Sequence, residues 1–173
     1  MTVIRSIAVL MLGAIAAVVV VAVVARSSDG PISLFAGGPF RSGQVITGNA
    51  VDWHPLATTP EVELQLVNPP RSRTTHIVVL DGEAYVPCGI VKVGPFVFLG
   101  QSFWKQWPQE VVNDPRVILR SDGKLYERRA VKVTDPELHR KLSALTSAKY
   151  HLNLSGPPDP KRVWFFRLEP RGA

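Results

Sequence analysis

One cysteine, Cys88, among 173 residues leaves no partner for an intramolecular disulfide. A location outside the cytoplasm would therefore have to be tolerated without covalent staples, and stability must come from a packed core. The four histidines, at 54, 76, 139 and 151, share with that cysteine none of the spacings zinc sites use, so no metal centre is expected. A Gly-x-Ser-x-Gly elbow is missing, and no paired carboxylates flank a cleft-like string, which removes the grounds for a serine hydrolase or a glycosidase. Basic residues are not interleaved with aromatics and no helix-turn-helix pattern occurs, so nucleic acid is not an expected partner. There is no low-complexity block, and the 15 prolines and 13 glycines fall at intervals that read as turns between short elements.

What is present begins with residues 7–25, an apolar run flanked by Arg5 and Arg26. At ~1.5 Å of rise per residue it matches the ~30 Å hydrocarbon core of a bilayer. It reads as a single-pass membrane segment. A cleaved secretory signal is the rival, because Val23 and Ala25 suit a small-residue cleavage site, although signal cores are usually only ~7–15 residues long. If Arg5 stays inside, the C-terminal domain lies outside the cytoplasm; Arg26 and Arg41 on the other flank weaken that bias. The expected organisation is an anchor or uncleaved signal over residues 1–26, a Gly/Pro-containing linker over 27–44 that lifts the domain off the membrane, and one domain over 45–173. The net charge of +6 falls by only one when Arg5 is set aside, so the folded part itself favours an anionic partner or surface.

Along the domain, residues 61–67 alternate, with Val62, Leu64 and Leu66 on one face and Glu61, Glu63 and Gln65 on the other, as a half-buried strand does. Arg71-Ser72-Arg73 follows Asn68-Pro69-Pro70 as a polar loop, and a strand over 74–80 meets a partner over 83–87 across the Asp81-Gly82 turn. Residues 93–99 are strand-like but interrupted by Gly94-Pro95. Residues 102–113 read as a short helix with Pro108 in its first turn or kinking it. A second hairpin turns at Asp122-Gly123, and Lys124, Arg128 and Lys132 share one face of its long strand, solvated or directed at lipid headgroups. Asp135-Pro136-Glu137 starts a helix running to about Lys149. Residues 162–168 form a last strand too apolar for an exposed edge. The fold class is mainly β with two short helices, a split antiparallel barrel of six or seven strands preceded by one transmembrane helix.

Three strings resemble the FMN- and deazaflavin-binding split-barrel superfamily of pyridoxamine phosphate oxidase-like and deazaflavin-dependent nitroreductase-like proteins. The first is Arg71-Ser72-Arg73-Thr74-Thr75-His76 with the Asp81-Gly82 hairpin. The second is Trp107 eight residues before Pro115 of Asn113-Asp114-Pro115. The third runs from Gly123 to Asp135. The resemblance covers about residues 60–135. It implies a homodimer, an oxidoreductase-like protein transferring hydride to an unidentified small substrate, and FMN or a deazaflavin held by Arg71, Ser72, Arg73, Thr74, Thr75 and His76 with Trp107 near the ring. No catalytic residue is assigned.

Guanidinium forks and hydroxyls at 71–75 suit phosphate oxygens, but the same residues also suit a solvated hairpin end. His76 could meet a ring carbonyl or be structural, and Trp104 and Trp107 could form an aromatic platform or core. Two departures, Pro69-Pro70 in place of glycines and Glu110 near the phosphate path, support the alternative of a cofactor-free binding or scaffolding module at the membrane.

Overall fold

The computed structural model describes residues 2–33, 35–48, 50–93, 96–99, 106–152 and 159–172. Helix α1, Thr2–Ala25, carries the apolar run. Its stretch Ile4–Ala25 is long and apolar enough to cross a membrane, and large side chains from Ile4 to Val24 along it are exposed.

On either side of a 3₁₀ turn at His54–Ala57, the chain builds a curled antiparallel half-barrel. Its strands are β1 (Gln44–Val45), β2 (Val62–Leu66), β3 (Arg71–Thr75), β4 (Val78–Leu80), β5 (Glu83–Cys88), β8 (Arg116–Ser121), β9 (Lys124–Lys132) and β10 (Trp164–Pro170). Their order is β3-β2-β8-β9-β10-β5-β4, with β1 parallel to the start of β9. Strands β6 (Ile90–Val93) and β7 (Phe96–Leu99) form a separate hairpin. The mainly β, antiparallel class is thus the one observed, with ten strands among the described residues where six or seven were expected and with β10 central as its apolar sequence requires.

Both Asp-Gly turns form as expected. Asp81, Gly82, Asp122 and Gly123 all have positive φ (52°, 77°, 48° and 70°), the conformation a two-residue turn needs and Gly supplies without strain. Helix α2, Trp107–Asn113, has Pro108 in its first turn; the expected residues 102–105 lie outside those described. Helix α3, Pro136–Tyr150, is capped by the Asp135 carboxylate, which accepts from the backbone N–H of Glu137 (3.0 Å) and Leu138 (3.4 Å).

Strand alternation divides the apolar residues between two cores. The inner, concave face carries Leu64, Leu66, Val86, Val117, Leu119, Ala130 and Phe166, closed by Trp53, Leu56, Trp107 and Val111. The outer face of β4, β5 and β10 packs Val78, Tyr85 and Phe165 on Leu142 of α3. Phe165 and Phe166 are thus buried on opposite sides of one strand, each contributing about 2–3 kcal/mol by area.

Three expectations are corrected. Arg71-Ser72-Arg73 is not a loop: the turn is made by residues 67–70, with a cis Asn68–Pro69 bond, and the arginines belong to edge strand β3, paired with β2 as Leu66↔Arg71 and Leu64↔Arg73. The face holding Lys124, Arg128 and Lys132 is solvated only at Lys124, because Val117↔Arg128 and Phe166↔Lys132 place its middle and far end on the concave face, with Arg128 buried and Lys132 half-buried. Arg128 is 3% exposed there, over the Trp53 ring at 5.4 Å and donating to the Glu127 carbonyl at 2.8 Å. Gln65 is buried too, because the polar face of β2 is covered by residues 37–40, and its Oε1 accepts from the Phe40 N–H.

That cover comes from the stretch read as a linker. Gly37 exchanges both backbone hydrogen bonds with Ser72 (2.8 and 3.2 Å), and Arg120 forms ion pairs with Asp29 (2.8 Å) and Glu63 while stacking on Phe40. The stretch lies against the sheet as a strap.

Candidate functional site

The seven residues expected to hold a cofactor do not share one surface. In β3 the side-chain period of two sends Arg71, Arg73 and Thr75 to the concave face with Leu66, Leu64 and Val62, while Ser72 and Thr74 go to the outer face with Gln65 and Glu63. Ser72 is fully buried under the strap, its Oγ donating to the Gly38 carbonyl at 2.6 Å. Thr74 opens onto an outer cleft of about 590 Å³ shared with Asp29, Glu61, Glu63, Arg120 and Asp122, whose excess of carboxylates does not suit a phosphate. His76 packs its ring on Tyr150 of α3 at 4.3 Å between centroids. The Tyr150 hydroxyl accepts from the Ile77 N–H (3.0 Å) and reaches the Ile77 and Pro60 carbonyls. His76 therefore stands with the link between β3 and β4 on α3. Trp104 lies outside the described residues.

The concave face brings together a different set. Arg73 runs inward from β3 and places its guanidinium over the Trp107 ring, 5.5 Å from the centroid. Trp107 packs on Phe166 at 5.6 Å, and Phe166 meets Trp164 edge-on at 6.3 Å. Lys132 Nζ sits 3.2 Å from the centroid of the Trp164 ring. The result is a ladder of three aromatics with a cation at either end, bordered by Cys88, which pairs in register with Trp164.

Both cations are partly desolvated. Burial pushes Arg73 down to about 10, with Glu110 on α2 and then Cys88 pulling the other way, and its Nε is buried without a hydrogen-bond partner. Desolvation also lowers Lys132. Among the described residues neither takes part in an ion pair, although Asp114, Glu63, Glu83 and Glu169 all do. Cations over aromatic faces gain about 0.5–2 kcal/mol each, short of what a carboxylate or phosphate returns to a desolvated guanidinium.

The chemistry of this set suits an anion: Arg71, Arg73 and Thr75 share one face of β3, while the Trp107 and Trp164 rings lie beneath Arg73 and Lys132. Ser72 and Thr74 do not belong to that set. Lys132 and Trp164 were not among the expected site residues. The sequence signal for them was their strand periodicity, which groups Lys132 with Lys124 and Arg128 without saying which side of the sheet is concave.

No family model matches the chain, and no curated protein matches it. Two solved structures are similar. One, from Listeria innocua, is named for pyridoxamine 5′-phosphate oxidase, with 16% identity and a TM-score of 0.45 over 67% of this chain and 87% of that one. The other is named F420 reductase, with 13% identity and a TM-score of 0.43 over 70% of this chain and 94% of that one. These values describe a likeness in backbone course. The site is read from its own residues.

Proposed function

We propose that this protein is a membrane-tethered, oxidoreductase-like split barrel that binds FMN or a deazaflavin on its concave face. The carrying observation is a pair of desolvated cations, Arg73 and Lys132, that form no ion pair among the described residues and stand at the ends of the Trp107-Phe166-Trp164 ladder. A bound flavin or deazaflavin would supply the hydride chemistry, to a small substrate not yet identified. The chain's own part is positional: Arg71 and Arg73 neutralise phosphate, Thr75 adds a hydroxyl donor, and Trp107 and Trp164 wall the ring from water. A homodimer belongs to the same reading, with sedimentation of the detergent-solubilised chain as its test.

A second reading, a cofactor-free binding or scaffolding module, is favoured by one observation. The backbone N–H of Ser72 is taken by the Gly37 carbonyl and Pro69 and Pro70 have none, so the stretch that would cradle a phosphate offers few amides.

Titration of the purified full-length chain with FMN and with an oxidised deazaflavin, followed by cofactor fluorescence, separates the two. The flavin reading expects saturable binding that weakens about tenfold or more in R73M and in K132M, as loss of a charge-assisted contact does. Absence of binding at high micromolar concentration would leave the cofactor-free module.

A further inference from the structure

The strap is also the part of the domain nearest the end of α1. The 22 residues of Ile4–Ala25 span ~33 Å at 1.5 Å each, close to the ~30 Å of a hydrocarbon core, so a span over them would bring Ala25 to the membrane–water boundary. No free chain follows it. The Ala25 carbonyl accepts from the Gly38 N–H (3.1 Å), the Ser28 N–H (3.1 Å) and Ser28 Oγ (2.6 Å), and Ala25 is fully buried. The approach is so close that a Cβ at Gly38 would collide with the Arg26 and Ser28 carbonyls. Farther along, Asp29 receives the Arg41 N–H (2.7 Å) and the Ser42 hydroxyl while pairing with Arg120 of the sheet. Helix end, strap and barrel are thus joined without a spacer.

The surface left by this arrangement has a composition of its own. Among the described residues outside α1, the large apolar side chains that are exposed are Ile32 (39%), Val45 and Val112, and the first two lie in the strap or directly after it. Ile32 belongs to a tight turn closed by reciprocal hydrogen bonds with Phe35 (3.1 and 2.9 Å). Arg26 and Arg41 are exposed on either side of that turn in the chain, and neither forms an ion pair among the described residues. Exposed apolar residues beside unpaired cations, next to the end of a spanning helix, are the pattern of an interfacial contact.

We infer that residues 26–45 form a lipid-facing surface that seats the barrel directly on the bilayer, with Arg26 and Arg41 at anionic headgroups and the Ile32 turn among them. This rests on the tethered reading of α1, and the test keeps the two apart. Full-length I32C and V112C chains, each carrying a small fluorophore, are reconstituted in phosphatidylcholine vesicles containing phosphatidylglycerol and a lipid with a shallow nitroxide; buried Cys88 gives the unlabelled background. The label at 32 is expected to be quenched several-fold more than the label at 112, and R26Q/R41Q is expected to reduce that difference. Equal quenching at both sites in a chain that resists carbonate extraction would overturn the inference while leaving the anchor intact. Extraction by carbonate would overturn the anchor and the inference together.

Discussion

Arg73 places a largely desolvated guanidinium over the Trp107 ring with no ion pair among the described residues. A buried, unpaired charge costs stability, and replacing it with an apolar side chain of similar length is often neutral or stabilising. R73M is therefore expected to unfold in urea at the same or a higher midpoint, by up to about 2 kcal/mol, while any cofactor binding weakens about tenfold or more. A large drop in midpoint would mean that the arginine serves the fold. Asp29 makes the opposite kind of statement. The Ser42 hydroxyl first, then the Arg41 N–H and Arg120, hold its carboxyl at about 2 against 3.8. A carboxyl depressed on folding stabilises fully above its unfolded value, and that contribution fades as pH falls through the folded one. The wild type should therefore lead D29N above about pH 4 and the two should converge near pH 2, read from urea midpoints across that range. Asp114, held at about 2 by Arg116, supplies an acid loss common to both chains.

At the level of elements, the features legible in the sequence are those set by local chemistry. The Asp-Gly turns, the Asp135 cap and the apolar run of β10 each depend on a few neighbouring residues, and each forms as read. D135A should cost about 1 kcal/mol in thermal or urea unfolding, the usual worth of such a cap. Strand β3 was illegible for a physical reason: it is an edge strand with arginines turned inward and hydroxyls turned toward a strap, so neither face shows the apolar alternation by which strands are recognised. The site shared that fate, because its members come from β3, α2, β9 and β10, and only their pairing shows that Arg73, Trp107, Trp164 and Lys132 meet. Gly89 joins two of these regions. Its φ of +95° suits glycine, and a Cβ there would strike the Arg162 carbonyl just before β10. G89A should lose about 1–3 kcal/mol and loosen Trp164, visible as a shift in tryptophan emission together with the lower unfolding midpoint.

For the whole molecule, the order of strands differs from their order in the chain. Strand β10 lies between β9 and β5, so no hydrogen-bonded path joins β3-β2-β8-β9 to β5-β4 until residues 164–170 have docked. The other nine strands all precede it. During synthesis two incomplete sheets would stand side by side, with α1 already at the membrane on the tethered reading, and the barrel would form only after β10 had left the exit tunnel. A chain stopped after Val163 should still insert through α1 and yet be cleared by proteases, which pulse labelling of the truncated and full chains would reveal. On the tethered reading of α1, delivery to the bilayer would precede folding, and a domain that closes only with its last strand would stay an open thread while its helix is inserted.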